Sequence, residues 1–297
     1  MCIRDRYGST EVSFAHTQYM VGTGMSLNAG GLAQKIGKNG AIGLSLMAFS
    51  FGDIPLTTTN QPMGITTFSP SFFHIGLGYS HIFRDKEGNE KVSIGFLVRL
   101  VSESLPNADA LGACFDAGVQ YVTGNNRQIK FGIALRNIGT KMKFSGDGLA
   151  YLGVAPNGTT PLTVDERAAE FELPSLLHIG LSYDFWFPGE TDSREGKTNR
   201  LSLNAMFTAN SFARDQIGLG MEYAFREMFM LRAAFRYEEL MFSATNTSGT
   251  ISSGLTAGMS VQVPFKKGSS RKISFDYAFE LTQEFGGSHS VGLKLNL

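Results

Sequence analysis

Apolar side chains recur at every second position along almost the whole of this 297-residue chain, and that period is satisfied only by extended strands with one apolar face. Within 129–135 the odd positions are Ile129, Phe131, Ile133 and Leu135; Lys130, Gly132 and Ala134 fall between them and Arg136 follows. Val92, Ile94, Phe96 and Val98 stand against Ser93, Gly95 and Arg99, and Ala113, Phe115, Ala117, Val119 and Tyr121 against Cys114, Asp116, Gly118 and Gln120. Further on, Ile217, Leu219, Met221, Tyr223 and Phe225 oppose Gly218, Gly220 and Glu222, and Phe229, Leu231, Ala233, Phe235 and Tyr237 oppose Arg232 and Arg236. Ile273, Phe275, Tyr277 and Phe279 oppose Ser274, Asp276 and Glu280, and the chain ends on Val291, Leu293, Leu295 and Leu297 against Gly292, Lys294 and Asn296. One face of each segment is bulky and apolar. The other is small, polar or charged.

With the same alternation at 201–208 and 255–263, and weaker segments at 12–20, 24–33, 41–50, 74–83 and 176–186, the pattern predicts about fourteen strands of about ten residues, the length a tilted strand needs to cross a bilayer. The connections alternate in length: 84–90, 124–128, 226–227 and 264–270 are short and 188–198 somewhat longer, whereas 52–72, 102–111, 138–175 and 238–252 are long. Two on the long side, 210–215 and 282–287, break the rule. The expected fold class is all-β, a transmembrane antiparallel up-and-down β-barrel of about 14 strands, with short periplasmic turns and long extracellular loops exposed at the cell surface. Tyr121, Tyr183, Trp186, Tyr223 and Tyr237, near strand ends, suit interfacial aromatic girdles. The stretch 164–171 is compatible with a turn or two of helix inside a loop. A soluble sandwich would fill both inner faces with bulky residues; here the second face holds Gly, Ser and charges, as a wet lumen would.

Composition narrows the reading further. Charged residues are 18% and there are 35 Gly and 24 Phe, against about 25% charged and about 7% Gly in ordinary soluble domains. The 26 Lys+Arg balance 26 Asp+Glu, which removes the electrostatic footprint of a nucleic-acid binder. No run approaches the ~20 apolar residues of a membrane helix; the longest charge-free apolar run, 41–52, contains Gly43, Ser45 and Ser50. Cys2 and Cys114 make neither a disulfide framework nor a zinc pair. Residues 1–10 have no apolar core or cleavage site of a signal peptide and are expected to be a non-native leader. Residues 11–297 are expected to form a single outer-membrane barrel whose native N-terminus, with its export signal, is missing.

No catalytic constellation assembles. His16, His74, His81, His178 and His289 are scattered over different segments, and there is no HExxH, no GxSxG elbow and no Walker loop. The chain is expected to be a non-enzyme without metal or cofactor. Its distinctive polar feature is charge on the lumen parity: Arg99, Asp116, Arg136, Glu222, Arg232, Arg236, Asp276 and Glu280, joined by Asp184 and Lys294. Against lipid such groups are costly, so they are expected to share a lumen, where mixed signs favour an ion-pair network over a solute path. Asn157-Gly158-Thr159 and Asn246-Thr247-Ser248 match glycosylation sequons but mark only exposed loops in this setting.

Four segments occur in a telling order: Val12-Ser13-Phe14-Ala15-His16-Thr17-Gln18-Tyr19; Gly43-Leu44-Ser45 leading to Phe51-Gly52-Asp53-Ile54; Ala134-Leu135-Arg136-Asn137-Ile138-Gly139 followed by Met142-Lys143-Phe144; and Leu173-Pro174-Ser175 leading into His178-Ile179-Gly180-Leu181-Ser182-Tyr183. Together they resemble the PorV/PorQ family of the Bacteroidota type IX secretion system, barrels similar in architecture to the FadL long-chain fatty-acid transporters. The resemblance implies a FadL-like outer-membrane component that binds or shuttles secreted cargo between translocon and attachment complex. Its implied partners are outer-membrane lipid, the type IX translocon barrel or attachment-complex subunits, and cargo proteins with a C-terminal signal domain. Cargo contact would use the extracellular loops, including 138–175 with Phe144, Tyr151 and Phe171. The alternative function on the same fold is a FadL-like transporter of hydrophobic small molecules. The family's usual N-terminal portion is absent from the sequence.

Overall fold

A computed structural model describes residues 9–58, 61–155, 158–187, 199–239, 241, 251–265 and 271–297. The strands are β1 (Thr10–Gln18), β2 (Ser26–Ile36), β3 (Gly40–Ser50), β4 (Ile54–Thr58), β5 (Gln61–Phe68), β6 (Ser71–Arg84), β7 (Glu90–Leu105), β8 (Ala108–Thr123) and β9 (Ile129–Gly139). They continue with β10 (Ala150–Val154), β11 (Pro161–Asp165), β12 (Leu176–Phe187), β13 (Asn199–Asn210), β14 (Gln216–Phe225), β15 (Phe229–Glu238), β16 (Ser252–Pro264), β17 (Lys272–Thr282) and β18 (Ser288–Asn296). Fourteen of them close an antiparallel barrel in the order β1, β18, β17, β16, β15, β14, β13, β12, β9, β8, β7, β6, β3, β2. The remaining four form two hairpins outside the wall, β4 with β5 and β10 with β11. Closure by the β1–β18 ladder, from Glu11 opposite Asn296 to Gln18 opposite His289, removes the open edges that an isolated sheet would expose.

Each of the fourteen alternating segments becomes a barrel strand, and the alternation decides which way its side chains point. Leu77, Leu219 and Leu231 on the outer face are 65%, 61% and 62% exposed. A continuous apolar outer surface of this kind calls for lipid rather than water. Inward positions carry Gly, Ala, Ser and the charges. Both described chain ends lie on one rim, joined there by the short turns 37–39, 85–89, 124–128 and 226–228; this is the chain-end rim. The opposite, loop rim carries both extra hairpins and the long segment 140–175.

The structure departs from the sequence reading in three places. The stretch 102–111 is not a long loop: β7 and β8 run on to a two-residue turn at Pro106 and Asn107, with Asn107 at φ 59. Proline fixes the first central position and Asn tolerates the left-handed second. The stretch 164–171 is not helical, because its start belongs to β11 and Phe171 bridges to Met142. Trp186 does not join an outer girdle; it pairs directly opposite the inward-pointing, buried Arg200, whose guanidinium lies 5.9 Å from the indole centroid. The expected leader up to residue 8, the connection 188–198 and the sequon at Asn246 lie outside the described residues, as does Asn157 of the other sequon.

Segment 140–175 acts as a strap that folds inward over the upper wall. Met142 and Phe171 exchange main-chain hydrogen bonds of 2.7 and 2.9 Å, Ser145 and Asp109 pair at 2.9 and 3.0 Å, and Gly148 N–H donates to Asn107 O at 2.8 Å. Those bonds lay the strap on the tall β7–β8 hairpin. Its Met142 then closes an apolar cluster with the buried Val101, Ala110 and Cys114, flanked by Phe72, Phe144, Phe171 and Leu173.

Candidate functional site

The lumen is the concave polar space of the molecule, and its chemistry changes with height. Toward the loop rim, aromatic rings gather: Tyr19 lies 5.9 Å from Phe49, which lies 4.7 Å from Phe51, and Phe144 stacks on Phe171 at 5.3 Å. At mid-height the walls are small. A cavity of about 650 Å³ lies against β1–β3 and β15–β18, walled by Ala15, Ala29, Gly31, Ala234, Gly258 and Gly292, with Arg232, Asp276 and Lys294 at its lining. A second, of about 690 Å³, lies against β6–β9, β12 and β13, walled by Gly95, Gly118, Gly132, Ala134 and Gly180. The inward glycines therefore have a steric role: absent side chains leave the bore open.

The sequence-derived charges fall into three groups. Arg99 donates through Nη2 to Asp116 Oδ1 at 2.6 Å and also to Asn137 Oδ1, and Arg136 Nε lies 3.8 Å from Asp116 Oδ2. A register shift between Phe115 and Ala117 puts two residues, Arg136 and Asn137, opposite the single Asp116. That is a β-bulge, which re-aims side chains; with Asn137 at φ 61, its own N–H donates to Asp116 Oδ1 at 2.8 Å.

The second group runs without a break around neighbouring strands from β9 to β17. Lys130 Nζ donates to Asp184 Oδ2 at 2.6 Å, and Ser202 Oγ donates to Asp184 Oδ1. Arg200 lies 3.6 Å from Asp184, pairs with Glu222 and reaches Glu227 at 2.8 Å. Glu222 accepts from Arg232 at 2.6 Å, Arg232 donates to Ser260 Oγ at 2.5 Å and lies 3.9 Å from Asp276, and Ser260 donates to Asp276. The third group is a pair, Arg236 with Glu280 at 2.8 Å, where Ser252 Oγ also donates to Glu280 at 2.7 Å. Lys294 pairs with Glu11 at 3.0 Å across the closing seam.

All ten charges read from the sequence thus take part in ion pairs. Missed were Lys130, Arg200, Glu227 and Asn137. Arg200 was legible, because alternation carried two residues back from Ser202 reaches it. Asn137 was not, since the bulge breaks the period that carried the reading. Of the loop aromatics, Phe144 and Phe171 turn inward against the strap's cluster, half-buried, while Tyr151 on β10 is 55% exposed. Among the described residues no group of three His, Cys, Asp or Glu is placed to hold a metal ion.

Neither a protein-family model nor a curated protein matches the chain. Solved structures do match it, at low identity. The toluene transporter TodX of Pseudomonas putida superposes with a TM-score of 0.56 at 13% identity, over 97% of this chain and 88% of that one. The fold is that of TodX. A monoaromatic hydrocarbon channel, CymD, superposes with a TM-score of 0.53 at 13% identity, over 96% and 86% of the two chains. The correspondence with TodX runs over nearly the whole chain, and what the two share is the fold, here a closed antiparallel barrel of fourteen strands.

Proposed function

We propose that the chain is an outer-membrane channel for hydrophobic small molecules. The observation that carries this reading is the end-to-end likeness to TodX and CymD, channels whose names specify toluene and monoaromatic hydrocarbons. The lumen supports it in two ways. Aromatic rings at the loop rim offer an apolar entrance, and the Gly and Ala walls leave cavities of several hundred cubic ångströms below, within the range of small-molecule sites. The inward charges serve the wall rather than the solute: paired among themselves, they hold neighbouring strands together and leave little unbalanced field along the bore. The test is uptake of radiolabelled toluene by cells without hydrocarbon channels that express the full chain behind an export signal. Faster uptake than in vector controls supports the proposal; equal uptake with the barrel folded in the outer membrane overturns it.

One observation favours a second reading, the adaptor of type IX secretion. The two hairpins on the loop rim carry exposed apolar side chains, Met63 at 95%, Leu152 at 80% and Val154 at 64%, of the kind a protein partner would cover. Co-purification from detergent-solubilised outer membrane separates the readings. A large translocon barrel or cargo sharing one C-terminal domain supports the adaptor, and a barrel free of such partners removes it.

A further inference from the structure

Buried polar side-chain atoms almost always find a hydrogen-bond partner. Among the described residues four do not, and three of them, Ser45 Oγ, His74 Nδ1 and Arg99 Nε, belong to the adjoining strands β3, β6 and β7. The fourth, Asn199 Oδ1, lies apart on β13. His74 and Arg99 are only 8% and 5% exposed. The ladder register brings the three together: Ser45 stands opposite Gly76 and Gly76 opposite Arg99, with His74 the next inward residue of β6. Gly76 allows the convergence. A Cβ there would stand 2.6 Å from Ser45 Oγ, 2.9 Å from Arg99 Cγ and 3.0 Å from Leu97 Cδ1, so its neighbours occupy the space a side chain would take.

We infer that Ser45, His74 and Arg99 form a polar subsite for the hydroxyl group of a phenol, set in the wall of the lumen. The inference deepens the channel reading and rests on it. Ser45 lines the cavity of about 650 Å³, and Leu97 and Asp116 line another of about 430 Å³. Leu97, whose Cδ1 lies against both Gly76 and Gly78, is the movable piece beside the subsite, and its rotation admits the solute. The atoms themselves define what the solute presents. Arg99 Nε–H only donates, whereas Ser45 Oγ and His74 Nδ1 can each take either role; a hydroxyl, which accepts and donates at once, matches that set. A hydrocarbon matches none of it. A carboxylate would meet Asp116, which already holds Arg99 at 2.6 Å, and like charges repel strongly out of water. The body of the solute is set by the apolar surroundings: Met47 and Val101 stand opposite His74 on the flanking strands, and the Phe72 ring lies 6.0 Å from the imidazole in edge geometry, a contact that suits an aromatic ring. A phenol, with a pKa of about 10, stays neutral at neutral pH and leaves the Arg99–Asp116 pair intact.

The experiment titrates the full chain, folded in detergent micelles, with 4-fluorophenol and with fluorobenzene, and follows each by fluorine NMR with empty micelles as the blank. The unmodified chain should bind 4-fluorophenol saturably and about tenfold or more tightly than fluorobenzene, the gain expected from a hydrogen bond to a buried group that otherwise has none. Ser45→Ala/His74→Phe should bring the two affinities close together, and Leu97→Ala should make 4-fluorophenol associate severalfold faster. Equal affinities in the unmodified chain overturn the inference and leave the channel reading standing; water alone would then serve these atoms. A preference that survives the double variant overturns it as well, since the hydroxyl then binds elsewhere. If the double variant fails to fold, Leu97→Ala decides: association no faster than in the unmodified chain overturns the inference. Saturable binding of neither compound overturns it too, and the channel reading is then judged by toluene uptake alone.

Discussion

Met142 fills the space left by the missing side chain of Gly112: a Cβ on that glycine would stand 2.5 Å from Met142 Cγ and 2.9 Å from its Sδ. The contact joins two parts of the chain, a strand of the barrel wall and the strap that lies on the β7–β8 hairpin. Truncation by Met142→Ala should cost about 2–5 kcal/mol, the range for emptying a well-packed apolar site. The expected signature is local: trypsin should cut segment 140–175 faster while the barrel keeps its heat-modifiable mobility on gels. Loss of the barrel together with the strap would show that the contact has a global role.

Arg200 is buried among Asp184, Glu222 and Glu227. Arg200→Met leaves three carboxylates without their shared cation, and removal of one partner from a buried network costs about 3–5 kcal/mol. Urea unfolding in micelles measures it. Adding Glu227→Gln should recover part of the loss, because it removes a carboxylate that Arg200 had paired, whereas Glu222 keeps Arg232; a double variant weaker than the single one would contradict the network.

Asn137 sits at φ 61 on the bulge, where its side chain accepts from Arg99 and donates to Pro174 O at 2.8 Å. Asn137→Gly and Asn137→Ala lose the same hydrogen bonds, but only alanine adds the cost of a left-handed backbone, about 1 kcal/mol. The alanine variant should therefore unfold at lower urea than the glycine variant. Equal midpoints would mean that the bulge relaxes.

Gly132 and Gly180 point into the 690 Å³ cavity with room around them: an added Cβ would meet only Val119 O at 3.7 Å and Ala205 O at 3.9 Å. The double variant Gly132→Leu/Gly180→Leu should fold normally and fill part of the bore. Toluene uptake should fall severalfold with thermal stability within about 1 kcal/mol of the parent, as for tolerated substitutions. Unchanged uptake would show that solutes do not use this side of the lumen.

Asp85 caps its turn by accepting the amide of Asn89 at 2.9 Å and that of Glu87 at 3.0 Å. The Asn89 amide bond is the main influence holding its carboxyl below the ordinary 3.8. A carboxyl depressed in the folded state lends stability that is full above its unfolded pKa and fades as pH falls through the folded value. The protection factors of the Glu87 and Asn89 amides, observed exchange relative to the unstructured rate at the same pH, should therefore fall on acidification below about pH 4, and Asp85→Asn should remove that dependence.

The strand set was legible because the fold's dominant constraint is local. A residue's place in the alternation fixes whether it meets lipid or lumen, so Phe131, Leu219 and Arg232 could each be assigned to a face before any contact was known. The same rule placed the lumen charges on one parity. It said nothing about which charges touch, since Lys130 and Asp184 are brought together only by the pairing of β9 with β12 across the 140–175 strap.

Sequence alone determined the period, the strand count, the two unlike rims and the inward position of the charges, all consequences of side chains alternating along an extended backbone. Tertiary structure decided what depends on register and closure. It decided that β7 and β8 rise to Pro106 and Asn107, that Trp186 turns inward to Arg200, that the bulge at Asp116 recruits Asn137, and that Phe144 and Phe171 pack inside the strap. These features rest on partners far apart in sequence, and only the folded wall brings them within hydrogen-bonding or van der Waals reach.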